Sequence, residues 1–261
     1  MTNKEYHAHP AISKSDLDLA HRSPMHYQYR KEHPQDSQTP ALLIGSAVHK
    51  MVLEPSTFDE EFAVLDDAID RRTKAGKEAY SAFLEQSAGK SILTQEIYQQ
   101  AMDMADAVHH HPTARKLLTG GKAEQSYFWE DLRTGLPCKC RPDYLRPGFC
   151  VDYKTTQDAS LEAFQRSAYK YRYNVQAYWY LHGLQLNGMQ DLDFVFIAQE
   201  KEPPYAIAIY YADADTLKLG QTDAEADLEA LSSCIHAGVF DGYTNEIQPL
   251  TPPRWAAKER L

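Results

Sequence analysis

The stretch Phe149-Cys150-Val151-Asp152-Tyr153-Lys154-Thr155 predicts a β-strand around which the rest of the chain can be arranged. Because side chains alternate across a strand, Asp152 and Lys154 point to one face, while Val151 and Tyr153 point to the other. The strand therefore presents a carboxylate beside an ammonium group. An ion pair between these two groups on the surface of an edge strand is the plainer interpretation of the same residues.

A second carboxylate precedes this strand in Pro142-Asp143, towards the end of the neighbouring predicted strand. A turn at Arg146-Pro147-Gly148 folds the two strands together and brings Asp143 beside Asp152. Two carboxylates in one pocket raise each other's pKa unless a hard divalent cation binds between them, and Mg²⁺ accepts such a site. With Lys154 to orient and help deprotonate a water molecule, these groups suit hydrolysis of a phosphodiester.

The hydrophobic period in the first part of the chain is typical of helices. Ser13 caps the first predicted helix, and Pro24 starts the second after a further cap at Ser23. The remaining helices of this part run from Pro40 to about Leu53, over Thr73–Ser87 and over Thr94–His110, with loops at His33–Thr39 and Asp66–Lys77.

From about Ala123 the period changes to two, which predicts a sheet. A meander of three strands comes first, over Glu124–Glu130, Leu136–Leu145 and Phe149–Thr155. It is followed by helices Leu161–Tyr171 and Asn174–Leu186, strands Leu192–Gln199 and Tyr205–Tyr211, and a final helix from about Asp213 to His236. The chain is therefore predicted to form one α/β domain over 1–261, with a helical N-terminal part (1–120) and a sheet-centred catalytic core (121–261).

The chain of 261 residues carries 27 Lys and Arg against 37 Asp and Glu, a formal net charge of −10. This balance excludes a diffuse basic coat for binding nucleic acid, but it allows a local basic groove, because the field at a site depends on where the charges lie. Hydrophobic residues make up 43 % of the chain, enough for a globular core. Apolar runs are far shorter than the ~20 residues of a membrane-spanning helix, so we expect a cytoplasmic protein with no membrane partner.

Three further features can join the two acids. His49 follows Gly45 by one turn of a predicted helix, and the glycine leaves room beside it, although a histidine satisfied within the core is the plainer interpretation. Glu124 starts the first strand of the meander, either as a third acid of the site or as a solvated charge. Gln176 and Tyr180 lie one turn apart on the helix that follows the strand of Asp152.

Taken in order, Gly45-x-x-x-His49, Pro142-Asp143, Asp152-x-Lys154 and Gln176-x-x-x-Tyr180 resemble the active-site motifs of the PD-(D/E)xK nuclease superfamily, in its RecB-type branch. The chain is more closely similar to the nuclease domains of the exonuclease VIII (RecE-type) family. This second resemblance runs through segments such as Ile12-Ser13-Lys14-Ser15, Arg71-Arg72-Thr73, Cys140-Arg141-Pro142-Asp143, Tyr171-Arg172-Tyr173 and Pro253-Arg254-Trp255-Ala256. It implies a restriction-endonuclease-like core, in which a central mixed β-sheet is flanked by helices.

The resemblance implies an exodeoxyribonuclease that uses Mg²⁺, with Mn²⁺ as a substitute, to degrade linear double-stranded DNA from 5′ to 3′. Such enzymes leave 3′ single-stranded tails for phage or prophage recombination by strand annealing. They bind DNA ends as a homo-oligomeric ring, for which a tetramer is favoured over a trimer, and work with a RecT-type single-strand annealing protein. An endonuclease or flap nuclease on the same core and a non-catalytic DNA-end-binding subunit are the alternatives.

Carried over residue by residue, the resemblance implies a set of metal ligands, namely the side chains of His49, Asp143 and Asp152 and the backbone carbonyl of Tyr153. It implies that Lys154 activates water and that Glu124 helps to hold a second metal or its water. Gln176 is implied to lie near the scissile strand.

DNA contacts have to come from local clusters on this acidic chain. The candidates are Arg22, Arg71, Arg72, Lys139, Arg141, Arg172 and Tyr180. Ser13, Ser15 and Arg22 could also bind a terminal 5′ phosphate at a helix N-terminus, or Ser13 could do no more than cap its helix. In a ring, the basic clusters would face inward, with positive potential confined to the passage beside Lys154.

The cysteines argue against an iron–sulfur cluster. Related nucleases with such a cluster carry one upstream cysteine and a C-terminal group of three, whereas here no cysteine precedes Cys138 and only Cys234 lies late in the chain. A zinc site at Cys138, Cys140 and Cys150 lacks an evident fourth ligand, so buried thiols are favoured.

Overall fold

A computed structural model describes residues 1–33 and 39–252. The helices in these ranges are α1 (Asn3–Ala8), α2 (Lys14–Arg22), α3 (Pro24–Glu32), α4 (Pro40–Leu53), α5 (Phe58–Glu61), α6 (Lys74–Gln86), α7 (Gln95–His110), α8 (Pro112–Leu117), α9 (Leu161–Lys170), α10 (Tyr173–Leu186) and α11 (Ala214–Ala237). The strands are β1 (Phe62–Val64), β2 (Ser91–Leu93), β3 (Lys122–Ala123), β4 (Tyr127–Glu130), β5 (Pro137–Cys140), β6 (Tyr144–Arg146), β7 (Phe149–Thr156), β8 (Asp193–Glu200) and β9 (Ile207–Tyr211). None of these helices is both long enough and apolar enough to cross a membrane.

Five strands form a central mixed sheet in the order β3-β6-β7-β8-β9. β7 and β8 are parallel and are connected through α9 and α10, whereas the other neighbouring strands are antiparallel. β7 therefore lies in the middle of the sheet, paired with a strand on each side. Asp152 and Lys154 are on a central strand, which excludes their interpretation as an ion pair on an edge strand.

Helices cover both faces of this sheet. On one face, Val151 and Tyr153 pack with residues of α4 and α7 in one buried cluster. On the other face, Cys150 packs with residues of α9 and α10, and Asp152 and Lys154 make their contacts with α10. The predicted alternation along β7 is confirmed. So is the predicted α/β architecture, a central mixed sheet flanked by helices.

The predicted three-stranded meander is wrong in detail, because two of its strands bend out of the central sheet. The first breaks at Glu124, whose φ of 52° lies in the left-handed region, and β3 and β4 on either side of it belong to different sheets. The second breaks between β5 and β6, where Pro142 has no amide to donate to a ladder. The Glu124 amide donates to the Asp143 carbonyl at 3.1 Å, so the two bends lie side by side.

The predicted helices of the N-terminal part are confirmed closely by α2, α3, α4, α6 and α7. This part also contains a parallel pair, β1 with β2, which was not predicted because each strand has only three residues and shows no period. Lys74 and Lys77 belong to the first turn of α6 rather than to an exposed loop. The motif 253–256 and most of the predicted loop 33–39 lie outside the described residues.

Candidate functional site

The fully buried Asp152 and the half-buried Lys154 form an ion pair on the sheet face that α10 covers. Asp152 Oδ2 lies 2.6 Å from Lys154 Nζ, and Asp152 Oδ1 accepts a hydrogen bond of 2.5 Å from Gln176 Nε2. Burial and the Asp143 carboxylate raise the pKa of Asp152 to about 6, against the opposing effect of Lys154. Burial alone would lower the pKa of Lys154, but the carboxylates of Asp152 and Asp143 raise it above its usual range. Lys154 is therefore an ammonium ion at neutral pH.

A second group of side chains surrounds His49. Its Nε2 lies 3.1 Å from Asp143 Oδ2, and its Nδ1 lies 3.7 Å from Glu124 Oε1. Burial disfavours the charged imidazole, but Asp143 and Glu124 outweigh this effect and raise the pKa of His49 to about 9. Burial and Asp143 raise the pKa of Glu124 to about 7. The imidazolium thus balances two carboxylates that would otherwise repel each other.

Three separate elements bring this second group together. α4 carries His49 over β7, where its ring lies 6.2 Å from the ring of Tyr153, and the two strand bends supply Glu124 and Asp143. The Tyr153 amide donates to Asp143 Oδ2 at 2.8 Å and fixes that carboxylate against β7. Gly45 is not needed to leave room, because a Cβ there would lie 3.9 Å from its nearest neighbour, Thr155 Oγ1, an ordinary contact.

The second group fits a hard divalent cation. One ligand atom from each of His49, Glu124 and Asp143 lies within 4.8 Å of the others, and carboxylate oxygens are the ligands that Mg²⁺ and Mn²⁺ prefer. Asp152 Oδ2 is a further buried carboxylate oxygen. It lies in an ion pair with Lys154 but accepts no hydrogen bond of good geometry from a described residue. Asp152 lies outside the group of three, so its role as a ligand stays a prediction, as does that of the Tyr153 carbonyl.

Helix α10 carries the predicted Gln176-x-x-x-Tyr180 motif against the sheet. Gln176 is buried and its amide holds Asp152, so it orients a carboxylate in this structure. Tyr180 is half-buried, with its ring edge-on to Phe194 at 6.2 Å, and its DNA contact stays a prediction. A Cβ at Gly183 would lie 2.4 Å from the ring of Trp129. This glycine therefore serves the packing of Trp129 on α10.

The structure does not support the predicted DNA contacts of Lys139 and Arg141, because both side chains are buried against the N-terminal segment. Lys139 Nζ donates to the carbonyls of Tyr6 and His9 at 2.6 and 2.8 Å, and Arg141 Nη2 donates to the carbonyl of Met1 at 2.7 Å. The ring of Tyr6 has its centroid 4.6 Å from Lys139 Nζ and 4.8 Å from Arg141 Cζ. These two cations bind the chain's own N-terminal segment instead of a phosphate.

We expect Tyr6→Ala to lower the free energy of unfolding by about 3 kcal/mol, because it removes a buried ring and two cation–π contacts. Urea unfolding followed by circular dichroism measures this change. Tyr29→Ala on α3, where the side chain is exposed, is the matched control and should alter the free energy by less than about 0.5 kcal/mol. Equal stability of Tyr6→Ala and the wild type would contradict the anchoring role of Tyr6.

The structure does not support the predicted DNA contact of Arg172 either. Its Nη1 lies 3.2 Å from Asp18 Oδ1, and its Nη2 donates to Asp227 Oδ2, so the guanidinium ties α2 to α11. The remaining predicted contacts lie on exposed residues and stay predictions, namely those of Arg22, Arg71 and Arg72.

The N-terminus of α2 lies beside the site. Ser13 Oγ accepts a hydrogen bond from the Asp16 amide, and the Ser13 amide donates to Asp16 Oδ2, which together form a capping box. The binding of a 5′ phosphate by Ser13 stays a prediction. Sequence reasoning assigned no role to the next residue, Lys14, whose Nζ donates to the Tyr171 carbonyl at 2.8 Å. Burial lowers the pKa of Lys14, and the charge of Lys154 lowers it further. No local signal marks Lys14, since these neighbours lie more than a hundred residues away along the chain.

The thiols of Cys138, Cys140 and Cys150 are free and buried. Burial raises the pKa of Cys138 to about 12 and that of Cys150 well above its usual range. Such thiols stay protonated, and the thiolate rather than the thiol is the metal ligand.

The chain is similar to known proteins at the level of a family and of a fold. The family model described as "PDDEXK-like domain of unknown function (DUF3799)" matches residues 13–251. The solved structure of a protein named "putative exonuclease" from Eubacterium rectale aligns with 100 % of this chain and 99 % of its own, with a TM-score of 0.65 and 15 % identity, so the two share a fold. The solved structure of SSO0001 aligns with 74 % of this chain and 88 % of its own at 15 % identity, but its TM-score of 0.29 is too low to indicate a shared fold. No curated protein matches the chain.

Proposed function

Since the chain belongs to the PDDEXK-like family DUF3799, we propose that it is a Mg²⁺-dependent exonuclease that degrades linear double-stranded DNA from 5′ to 3′ and leaves 3′ single-stranded tails. The observation that carries this proposal is the Asp152–Lys154 pair on a central strand, beside the group of His49, Glu124 and Asp143. The name of the Eubacterium rectale protein, which shares the fold, favours an exonuclease over other hydrolases.

Lys154 acts as a donor of hydrogen bonds and of positive charge. Because Asp152 and Asp143 keep its pKa above the usual range, its ammonium group cannot accept a proton at neutral pH. It is suited to orient the attacking water and to stabilise the charge that grows on the phosphate oxygens. This differs from the expectation that Lys154 helps to deprotonate the water.

Glu124 is the third carboxylate of the site and would hold the cation or its water. Burial and Asp143 raise its pKa to about 7, so it gives up a proton near neutral pH when a cation binds. Arg141 Nε lies 3.8 Å from Glu124 Oε2 and limits how far this carboxylate can move. Gln176 acts through Asp152 and is a positioning residue.

His49, Glu124 and Asp143 would hold the cation, with the Asp152 carboxylate beside them. When bound, Mg²⁺ supplies a Lewis acid that makes water more acidic and stabilises charge on the phosphate. The imidazole would favour Mn²⁺ as a substitute, since nitrogen ligands suit it better than Mg²⁺.

We expect Mn²⁺ to bind more tightly as the pH rises from 6 to 8. His49, with a pKa of about 9, is protonated throughout this range, and Glu124, with a pKa of about 7, is protonated below 7. Each proton that the cation displaces makes the affinity rise roughly tenfold per pH unit, so the dependence should be steeper below pH 7 than above it. Calorimetric titration in buffers of different ionisation enthalpy measures affinity and proton release together.

His49→Asn is the matched variant for this titration, because it removes the proton that must leave but keeps a polar side chain. It should weaken Mn²⁺ binding and release about one proton fewer per cation at pH 6, where Glu124 is protonated in both proteins. Release of as many protons as in the wild type at this pH would mean that His49 is not a ligand.

The activity is tested with linear duplex DNA labelled at the 5′ or the 3′ end and with covalently closed circles, each in Mg²⁺ or in EDTA. We expect release of the 5′ label from linear DNA in Mg²⁺ only, with survival of a 3′ single strand. Cutting of closed circles would replace the exonuclease by an endonuclease, the first alternative. Binding of DNA ends without cleavage of any substrate would favour the non-catalytic subunit.

The proposal extends to a ring-shaped homo-oligomer around DNA and to a RecT-type single-strand annealing protein as partner, both of which rest on the resemblance of the sequence. Sedimentation equilibrium should give a mass of four subunits. A monomer at all concentrations would remove the ring from the proposal and leave the nuclease site unaffected.

A further inference from the structure

Two tyrosine rings form a path from the solvent to Lys154. The rings of Tyr171 and Tyr173 are stacked, with centroids 5.9 Å apart and planes at 28°. Tyr171 is 52 % exposed, while the ring of Tyr173 lies 5.1 Å from Lys154 Nζ. The outer ring is therefore open to a ligand, and the inner ring contacts the ammonium group of the site.

The backbone between α9 and α10 is held in place by contacts with other elements. Arg172, between the two tyrosines, has a φ of 56° in the left-handed region, which turns the chain sharply from α9 into α10. Its guanidinium is held by Asp18 and Asp227, and Lys14 Nζ holds the carbonyl of Tyr171. Non-glycine residues in this conformation are strained and cluster at ligand-binding sites. The stacked geometry is thus built into the tertiary structure.

The charges around the rings indicate what they bind. Lys170 Nζ lies over the ring of Tyr171, 5.3 Å from its centroid, and Lys154 lies on the inner side of the pair. Lys170 is exposed and its side chain is long, so a base can take the place of its ammonium group on the ring. The site then fits a nucleotide, whose base stacks on the ring and whose phosphate pairs with the displaced ammonium group. We propose that Tyr171, supported by Tyr173, is a stacking subsite for an unpaired base of the DNA strand that enters the active site, a subsite that rests on the nuclease function proposed above.

The subsite restricts which bases of a DNA substrate can bind. Both faces of a base inside a duplex are covered by its neighbours, so only a base at a duplex end or a base that has left the duplex can stack on Tyr171. The subsite therefore needs a DNA end, and the proposed unpaired base means that the enzyme holds this end frayed. Stacking tolerates any base, so the subsite selects for a free base face without selecting for sequence.

The test measures binding of a fluorescein-labelled single-stranded oligonucleotide by anisotropy in EDTA, with a single abasic residue placed at each of the first several positions from the 5′ end. For the wild type, we expect one position at which loss of the base weakens binding about tenfold, as for other base–aromatic stacks. Tyr171→Ala should bind the intact strand about tenfold more weakly and show no abasic penalty at that position. Tyr171→Phe should retain the penalty, and Tyr171→Leu, which keeps apolar volume without an aromatic face, should lose it.

Tyr211→Ala is the matched control, since this tyrosine is 71 % exposed on β9, and it should behave as the wild type. Equal ratios of intact to abasic affinity in the wild type and Tyr171→Ala at every position would overturn the subsite. Cleavage by the same preparations in Mg²⁺ separates the two proposals. If the preparations cleave DNA but the ratios of intact to abasic affinity are equal, only the subsite is refuted. If the abasic penalty depends on Tyr171 but no DNA is cleaved, only the nuclease function is refuted.

Discussion

Asp152→Asn is expected to lower the rate of DNA cleavage by at least about 1,000-fold while DNA binding stays within a few-fold of that of the wild type. The substitution keeps the shape of a fully buried side chain and can keep the hydrogen bond from Gln176. It removes the negative charge that holds Lys154 at 2.6 Å and that a cation beside Asp143 would need. Initial rates on 5′-labelled linear duplex in Mg²⁺, with binding measured in EDTA, test the two halves of this expectation.

Asparagine is a sharper test than alanine at this position. Both substitutions take the charge partner from Lys154, but Asp152→Ala would also leave a cavity and an unpaired Gln176 amide, which lower the stability further and confuse lost activity with lost folding. Asp193→Asn is the matched control, because this carboxylate is exposed at the start of the neighbouring strand β8. A cleavage rate of Asp152→Asn close to that of Asp193→Asn would refute the assignment of the site.

Lys154→Met is expected to reduce cleavage by a similar factor but to leave cation binding in place. Methionine fills a comparable volume, and the close contacts of His49 with Asp143 and Glu124 form without the lysine. Without Lys154 the pKa of Asp152, which burial and Asp143 already raise to about 6, rises further. Asp152 can then become neutral at pH 7, so the protein avoids an isolated buried charge and should still fold.

The measurements for Lys154→Met are cleavage rate and Mn²⁺ affinity on the same preparation. Lys218→Met, with an exposed lysine on α11, controls for the loss of one positive charge from the whole chain. Wild-type cleavage in Lys154→Met would remove Lys154 from the chemistry. Loss of Mn²⁺ binding in this variant would mean that Lys154 organises the ligands rather than acting on water or phosphate.

The strand Phe149–Thr156 could be predicted from its residues because the alternation of side chains is a local rule. The same is true of the helix caps at Ser13, Thr73 and Thr94, where a side-chain oxygen accepts from an amide three residues ahead. Asp143 was predicted to lie beside Asp152 from the turn between their strands, and His49 was identified through a resemblance to known motifs. The meeting of Asp143 with His49 at 3.1 Å depends on α4 packing over β7, which no local pattern encodes.

The bends at Glu124 and Pro142 could not be predicted as bends, although Pro142 is a local signal that a ladder can end. The two bends act together because they lie side by side, where the amide of Glu124 donates to the carbonyl of Asp143. A continuous meander would have carried Glu124 along the edge of the sheet. The bent one turns its carboxylate towards His49.

The amino-acid order specifies which strand presents a carboxylate beside an ammonium group, because neighbouring side chains on a strand obey a short-range geometric rule. It does not specify which cations are free to meet a phosphate. Lys139 and Arg141 bind carbonyls more than a hundred residues away, and Arg172 is held by Asp18 and Asp227, so all three are internal contacts. Burial and charge pairing depend on the packing of distant segments, and the tertiary structure therefore decided that these three cations make internal contacts while Lys154 lies beside Asp152.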